Sequence, residues 1–183
     1  MRREKAAMRR MQEILAVLMC MVIVLTGIPV SVQAADSDGT LKTDMPTGQE
    51  LFIILEENTD YRWNANDNAE KSSVVHLDTS GGDNCRFRLD KIENGWYGIK
   101  HIKMDGTDRF ADVDEKSKNS GAAIHLWESD DSKVKGNNHR QFAFYYLGDD
   151  ANGNGRYYIK NRNSGKWLGY EGKLNGNQPK IIQ

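Results

Sequence analysis

The sequence predicts an all-β fold built from three similar units, and two observations support this prediction. First, a turn-forming segment of related sequence occurs three times, at residues 59–65, 107–113 and 164–170. Second, each copy lies between two apolar runs rich in Ile, Val, Tyr, Phe and Trp, which are bounded by Asn-Gly, Asp-Gly and Ser-Gly pairs. Those pairs are hairpin signals, and no stretch after residue 34 sustains a helical period.

The elements follow the same order in each unit. The apolar runs on either side of the three turns are residues 51–55 and 74–77, 96–102 and 123–127, and 156–160 and 180–183. The turns are offset by 48 and 57 residues, too short for whole domains and too rich in strands for helical repeats. Hairpin units that must cover each other's apolar faces close into a pseudo-symmetric barrel. Three such units predict a β-trefoil.

The third unit is shorter than the other two. After its second apolar run the second unit continues through residues 126–146, and the third unit stops at Gln183 without a counterpart of this segment. We therefore expect pseudo-repeats at about 51–92, 93–150 and 151–183, with the third incomplete at its C-terminal end.

Residues 1–34 have the pattern of a secretory signal peptide. Five basic residues among the first 13 precede a nearly continuous apolar run at 14–30, and Val32 and Ala34 suit a signal peptidase. We expect cleavage after Ala34 and export from a bacterial cell. A retained membrane anchor is the alternative, because the run of 17 residues is close to the shortest spanning helix. Residues 35–50 are polar and aperiodic, which predicts a flexible leader.

The composition after residue 34 favours one soluble extracellular domain. These 149 residues carry 20 Lys and Arg against 24 Asp and Glu, a formal charge of −4. That balance favours neither nucleic acid nor an anionic membrane surface as a partner, and we expect no stable membrane insertion after cleavage. Cys85 is the only cysteine in this segment, so stability must come from apolar packing without an internal disulfide.

Several weak motifs occur in the order typical of one lectin family. They are Asn-Ser-Gly-Lys-Trp-Leu-Gly at 163–169, Ile-His-Leu-Trp at 124–127 and Gly-Asp-Asn-Cys-Arg-Phe-Arg-Leu at 82–89. With them, residues 51–183 resemble a ricin-type β-trefoil lectin domain. That family closes each repeat with Gln-x-Trp or Gln-x-Phe, whereas Cys85 and Arg140 replace the glutamine here. The resemblance implies a secreted carbohydrate-binding module.

The resemblance places a candidate sugar site in the second repeat. Its residues are Asp112, His125, Trp127, and Asn138 or His139. A carboxylate accepts hydroxyl protons, an aromatic ring covers the apolar face of a pyranose, and amides fix other hydroxyls, so a neutral glycan in a shallow pocket is the expected partner. The alternative is that Asp112 caps a turn and Trp127 is a barrel aromatic.

The other two repeats carry weaker versions of this site. The first repeat has Asn64, His76 and Asn84 but no aromatic residue at the position of Trp127. In the third repeat, Gly169 replaces the carboxylate and Gln183 falls on the position of His125. Because glycine has no side chain to accept a hydroxyl proton, this third site is expected to be degenerate.

No motif for catalysis or for a cofactor is evident. The histidines lack metal-site spacing, and residues 150–155 match only the opening of a calcium loop, so we expect a hairpin there, no metal and no cofactor. Cys85 is expected to be a buried, inert thiol. We do not interpret the chain as an enzyme. The rival interpretations are a protein-binding trefoil, as in inhibitors and adhesion proteins, and the accessory module of a secreted glycoside hydrolase.

Overall fold

The computed structural model describes residues 39–65, 72–103, 107–128, 130–175 and 178–183. In chain order the strands are β1 (Thr40–Leu41), β2 (Glu50–Leu51), β3 (Arg62–Asn64), β4 (His76–Asp78), β5 (Phe87–Glu93), β6 (Trp96–His101), β7 (Arg109–Val113), β8 (Ile124–Glu128), β9 (Phe142–Asp149), β10 (Gly155–Asn161), β11 (Gly169–Glu171) and β12 (Lys180–Ile182). One short helix, α1 (Asp131–Lys135), and 3₁₀ turns at Asp83–Cys85, Asp114–Lys116 and Asn138–Arg140 complete the described elements. The predicted all-β class is confirmed. The predicted signal peptide lies outside the described residues, and no helix within them is long and apolar enough to cross a membrane.

Three β-hairpins, β3–β4, β7–β8 and β11–β12, form a ring with pseudo-threefold symmetry. The same bridge joins each hairpin to the next, through Val74 and His125, Ala123 and Ile182, and Lys180 and His76. Val75, Ile124 and Ile181 lie between these bridges and are buried, so one branched apolar side chain from each repeat fills the centre of the ring. The hairpins of the three predicted pseudo-repeats therefore occupy equivalent positions.

Five of the remaining strands form the wall of a barrel below this ring. β2, β5, β6, β9 and β10 pair in that order, each antiparallel to the next. The strands that close the first two repeats bury apolar side chains at alternate positions, with Phe87 and Leu89 on β5 and Phe142 and Phe144 on β9. If each of the three repeats contributed two strands to the wall, the wall would have six strands instead of these five. Among the described residues no strand lies between β10 and β2, and we call this opening the seam.

The seam changes the burial of equivalent residues. Ile99 on β6, which lies between β5 and β9, is fully buried. Its counterparts Ile53 and Ile159, which flank the seam, are only partly buried. Side chains cross the opening instead of a strand: Arg156 Nη1 lies 2.8 Å from Glu56 Oε1. The seam lies beside β10, the first wall strand of the third repeat.

The part of the predicted leader from residue 40 onward belongs to the fold, so the prediction of a flexible segment is wrong there. β1 pairs with β9, and β2 pairs with β5. Between them, Met45 packs against the core and its amide donates to the Tyr97 hydroxyl at 3.1 Å. Each of these strands is two residues long, which is too short for alternation to be visible in the sequence.

The segment that resembles the opening of a calcium loop is the hairpin turn between β9 and β10, as predicted. The Asp150 carboxylate accepts hydrogen bonds from the amides of Asn152 and Asn154, both at 2.8 Å. Gly153 takes a φ of 82°, which favours glycine. The aspartate therefore stabilises the turn through its own backbone.

Candidate functional site

Strands β7 and β8 place three predicted residues of the second repeat side by side. Asp112 and His125 are directly opposite each other in the ladder. Trp127 lies two residues beyond His125 on the same strand, hence on the same face. Its ring is stacked on the imidazole, with centroids 5.4 Å apart and planes 20° apart, and it stays partly exposed.

The 3₁₀ turn Asn138–Arg140 packs against β7 and brings a histidine and an arginine side chain to Asp112. His139 Nδ1 lies 2.5 Å from Asp112 Oδ1, and Arg140 Nε donates to Oδ2 at 2.7 Å. The side chains of Asp112 and Arg140 are only 5% and 8% exposed. Asn138 lies on the same turn and is exposed.

This cluster changes the role expected of Asp112. Each of its oxygens already accepts a hydrogen bond from a side chain that carries or can carry positive charge, so the carboxylate holds the turn against β7. Sequence analysis took Arg140 as the loss of a polar partner. The structure corrects this interpretation, because Arg140 supplies a charged partner to Asp112.

Asp114 is the site carboxylate that sequence analysis missed. It begins the 3₁₀ turn Asp114–Lys116, its side chain is 53% exposed, and its Oδ1 lies 3.2 Å from His125 Nδ1. The next two residues, Glu115 and Lys116, have φ values of 52° and 58°, a left-handed conformation that is uncommon outside glycine. The one sequence signal for Asp114 was its position two residues after Asp112.

Short polar contacts fix the turn that carries His139. Asn137, not Asn138, approaches the ring, with its Oδ1 3.3 Å from His139 Nε2. The Asn137 amide nitrogen also donates to the Lys133 carbonyl, and Gln141 Nε2 donates to the Val134 carbonyl at 2.8 Å. These bonds satisfy carbonyl groups at the end of α1 and tie the helix to the site.

The weaker candidates of the first repeat come together but are buried. Asn64 is opposite His76, and both side chains are buried. Asn64 Nδ2 donates to Ser80 Oγ at 3.0 Å and lies 3.4 Å from Cys85 Sγ. Asn84 is partly buried on the adjoining 3₁₀ turn, where its carbonyl accepts the Ala65 amide. The amide and imidazole groups of this repeat therefore face the protein interior.

Two ionisable groups of the first repeat have shifted pKa values. Burial raises the pKa of the Cys85 thiol, which donates to the Ser80 carbonyl at 3.2 Å. Burial alone would also raise the pKa of Asp78, but hydrogen bonds from Ser80 and Gln178 outweigh it and lower that pKa. Asp78 lies two residues after His76, as Trp127 lies two residues after His125, so this repeat has no aromatic platform.

The third repeat departs from the prediction by one residue. Gly169 pairs with Ile182, so Ile182 stands at the position of His125, and the prediction that Gln183 would do so is wrong. Gln183 is buried, where it accepts from Ser164 Oγ and donates to the Ser117 carbonyl, each at 2.7 Å. A glycine opposite an isoleucine offers no polar side chain to a ligand.

The four histidines are spread over different environments. His101 is buried against the Phe87 ring at 5.3 Å, and this burial lowers its pKa. His76 and His125 occupy equivalent positions in the first and second hairpins, and His139 lies on the 3₁₀ turn beside Asp112. Across the described parts of the chain, no three His, Cys, Asp or Glu side chains are grouped to hold a metal ion.

No known family and no curated protein matches this sequence, but solved structures resemble it. A designed threefold-symmetric protein, ThreeFoil, has a TM-score of 0.58 and 22% identity, over 73% of this chain and 87% of its own. The chain has the β-trefoil fold.

The same trefoil occurs within two larger natural proteins. A lectin of Polyporus squamosus has a TM-score of 0.54 and 14% identity over 76% of this chain. An exo-β-1,3-galactanase of Clostridium thermocellum has a TM-score of 0.57 and 17% identity over 76% of this chain. The chain spans 45% and 28% of their lengths. At such identities the comparison establishes the fold of the trefoil and nothing finer.

Proposed function

We propose that this trefoil is a carbohydrate-binding module that recognises a neutral glycan at the second repeat. The observation that carries the proposal is the stack of Trp127 on His125 beside the exposed carboxylate of Asp114. The order of motifs that resembles ricin-type lectins supports it. We call Asp114, His125, Trp127 and Asn138 the second-repeat site.

The chemistry of this site suits a pyranose. The partly exposed indole of Trp127 offers an apolar surface to the C–H face of the sugar. Asp114 accepts hydroxyl protons in charge-assisted hydrogen bonds, His125 provides a further hydrogen-bonding group beside it, and Asn138 provides an amide on the turn that packs against β7. Asp112 contributes indirectly, because its buried contacts with His139 and Arg140 fix the turn on which Asn138 lies.

We further propose that the module acts outside the cell and binds without catalysing a reaction. The basic head and apolar run of residues 1–34 support export. The stacked Trp127 and His125 rings beside the Asp114 carboxylate form a surface that suits binding of a sugar.

A glycan array probed with the exported protein tests the proposal, followed by calorimetric titration of any glycan that binds. One shallow site should give a Kd of about 0.1–1 mM, because a small polar ligand makes few buried contacts. Binding that Trp127→Ala abolishes would support the assignment. If no neutral glycan binds, the protein-binding interpretation replaces it.

A further inference from the structure

The outer face of the barrel wall carries the same pair of residues in the second and third repeats. The Lys100 ammonium lies 4.5 Å from the centre of the Phe110 ring, and Lys160 lies 4.8 Å from that of Trp167. Each lysine is also opposite its aromatic partner in the strand pairing. The lysine and its ring are therefore a repeated feature of the wall.

In the second repeat this lysine is neutralised and covered. Lys100 Nζ lies 2.6 Å from Asp131 Oδ1 on α1 and 3.3 Å from Asp90 Oδ2 on β5. Val134, also on α1, is fully buried, as is Phe110. The helix thus supplies a carboxylate to the ammonium and an apolar side chain beside it.

In the third repeat neither carboxylate has a counterpart among the described residues. Tyr145 stands where the second repeat has Asp90, because it pairs with Tyr158 as Asp90 pairs with Gly98. No described carboxylate forms an ion pair with Lys160, which is partly exposed. Lys100 therefore has two carboxylate partners within the protein, whereas the equivalent Lys160 is available to pair with an anion of a ligand.

Two aromatic rings lie beside this lysine, and a third ring packs against one of them. Trp167 lies 4.9 Å from Tyr145 at 81° and 5.7 Å from Tyr158 at 56°, and all three rings are partly exposed. Lys160 also lies 5.8 Å from the Tyr145 ring. Within the described chain, neither the Tyr145 nor the Tyr158 hydroxyl has a hydrogen-bond partner. We call Tyr145, Tyr158, Lys160 and Trp167 the outer aromatic patch.

We propose that the outer aromatic patch binds a glycan that carries a carboxylate, as uronic acid residues do. Lys160 pairs with the sugar carboxylate in the way that Lys100 pairs with Asp131. The aromatic rings cover apolar C–H groups of the pyranose, and the two phenols bond its hydroxyls. The inference extends the proposed function, with which it shares only the ligand class, to a second surface and a charged sugar.

Calorimetric titration of the exported protein with a galacturonic acid oligomer, alongside a neutral galactose oligomer, tests this proposal. We expect the acidic oligomer to bind with a Kd of about 0.1–1 mM, and more weakly as salt rises. Lys160→Met keeps most of the apolar stem and removes the charge, so it should weaken binding about tenfold. Lys42→Met is the matched control, since Lys42 lies 4.9 Å from the Tyr146 ring but is near Asp44.

The outcomes separate this proposal from the proposed function. Trp127→Ala should leave binding of the acidic oligomer unchanged, and Lys160→Met should leave binding at the second-repeat site unchanged. Wild-type affinity in Lys160→Met, or an equal loss in Lys42→Met, would overturn the patch. An oligo-aspartate peptide that binds through Lys160 while the acidic oligomer does not would also overturn it, in favour of a protein partner.

Discussion

Asp112 and Arg140 form a buried ion pair at the two positions that Asn64 and Cys85 occupy in the first repeat. The contact itself is repeated, since Arg140 Nε lies 2.7 Å from Asp112 Oδ2 and Cys85 Sγ lies 3.4 Å from Asn64 Nδ2. The second repeat therefore has a carboxylate and a guanidinium where the first repeat has an amide and a thiol. The two positions work as a unit, which gives a direct way to test them.

Removing one member of this pair should destabilise the protein. Asp112→Ala leaves Arg140 and His139 without the carboxylate, and breaking a buried pair costs about 3–5 kcal/mol of unfolding free energy. The double variant Asp112→Asn with Arg140→Cys copies the first repeat and should recover most of that loss. Urea unfolding measures both. Equal stability of the single and double variants would show that the positions are not coupled.

Binding at the second-repeat site should depend on Asp114 and Trp127 without a change in fold. Asp114→Asn removes the charge from an exposed acceptor, and Trp127→Ala removes the stacking surface, so each should weaken binding of a neutral glycan by about 1–3 kcal/mol. Calorimetric titration measures this loss. Glu171→Gln, an exposed carboxylate of the third hairpin, is the control and should bind like wild type. Wild-type affinity in Asp114→Asn would contradict the assignment.

Stability should fall as the pH drops through the range in which an ordinary histidine titrates. Burial lowers the pKa of His101 from its ordinary value of 6.5. Just below pH 6.5, His101 is therefore protonated in the unfolded chain but remains unprotonated in the folded protein, which favours unfolding. The contribution is present above about pH 6.5 and is lost as the pH falls toward the lowered value. Urea unfolding at about pH 5 and pH 8 measures it.

His101→Leu is the matched variant for this test, because Leu55 occupies the equivalent position in the first repeat. His101→Leu should reduce the difference in unfolding free energy between about pH 5 and pH 8. Asp78 does not interfere, because its pKa is lowered from 3.8 and its contribution is lost only in more acidic solution. An unchanged slope in His101→Leu would assign the effect to another group.

The seam should make the protein associate with itself as its concentration rises. No described strand pairs with β2 or β10 across it, and Phe52 and Ile54 nearby are 51% and 48% exposed. Ile54→Lys copies Lys100 and Lys160 at the equivalent positions and should reduce association without loss of stability. Sedimentation velocity over a range of concentrations measures this. A wild-type protein that remains monomeric throughout would contradict the prediction.

The repeat pattern predicted the hairpin ring because each turn carries its own local signal. Asn64, Asp112 and Gly169 were aligned from the sequence alone, and the strand pairing places all three in the same register. The alignment slipped at Gln183 because it allowed the third repeat one residue more than the second, whereas Gly169 and Ile182 are separated by as many residues as Asp112 and His125. A shift of one in a strand exchanges the inward and outward faces, which is why Ile182 rather than Gln183 faces this position.

The chemistry of the site was less predictable than its location. Arg140 is 28 residues from Asp112 in the sequence. Only the folded structure shows that the Arg140 guanidinium contacts the Asp112 carboxylate. Nor does the sequence distinguish Asp112 from Asp114 as the exposed carboxylate. Their spacing of two residues suits one face of a strand, but Asp114 begins the next turn, and only the packing of the turn at Asn138–Arg140 buries Asp112.

Cys85 gives the protein an internal reporter of its own motions. Its side chain is fully buried, and it is the one thiol after residue 34. A shielded, protonated thiol reacts with an alkylating reagent only when its surroundings open, so the labelling rate measures how often the first repeat comes apart. In an oxidising medium the same burial protects the thiol, because oxidation and disulfide cross-linking between chains can occur only when the first repeat opens. The rate of opening therefore sets how long Cys85 stays reduced.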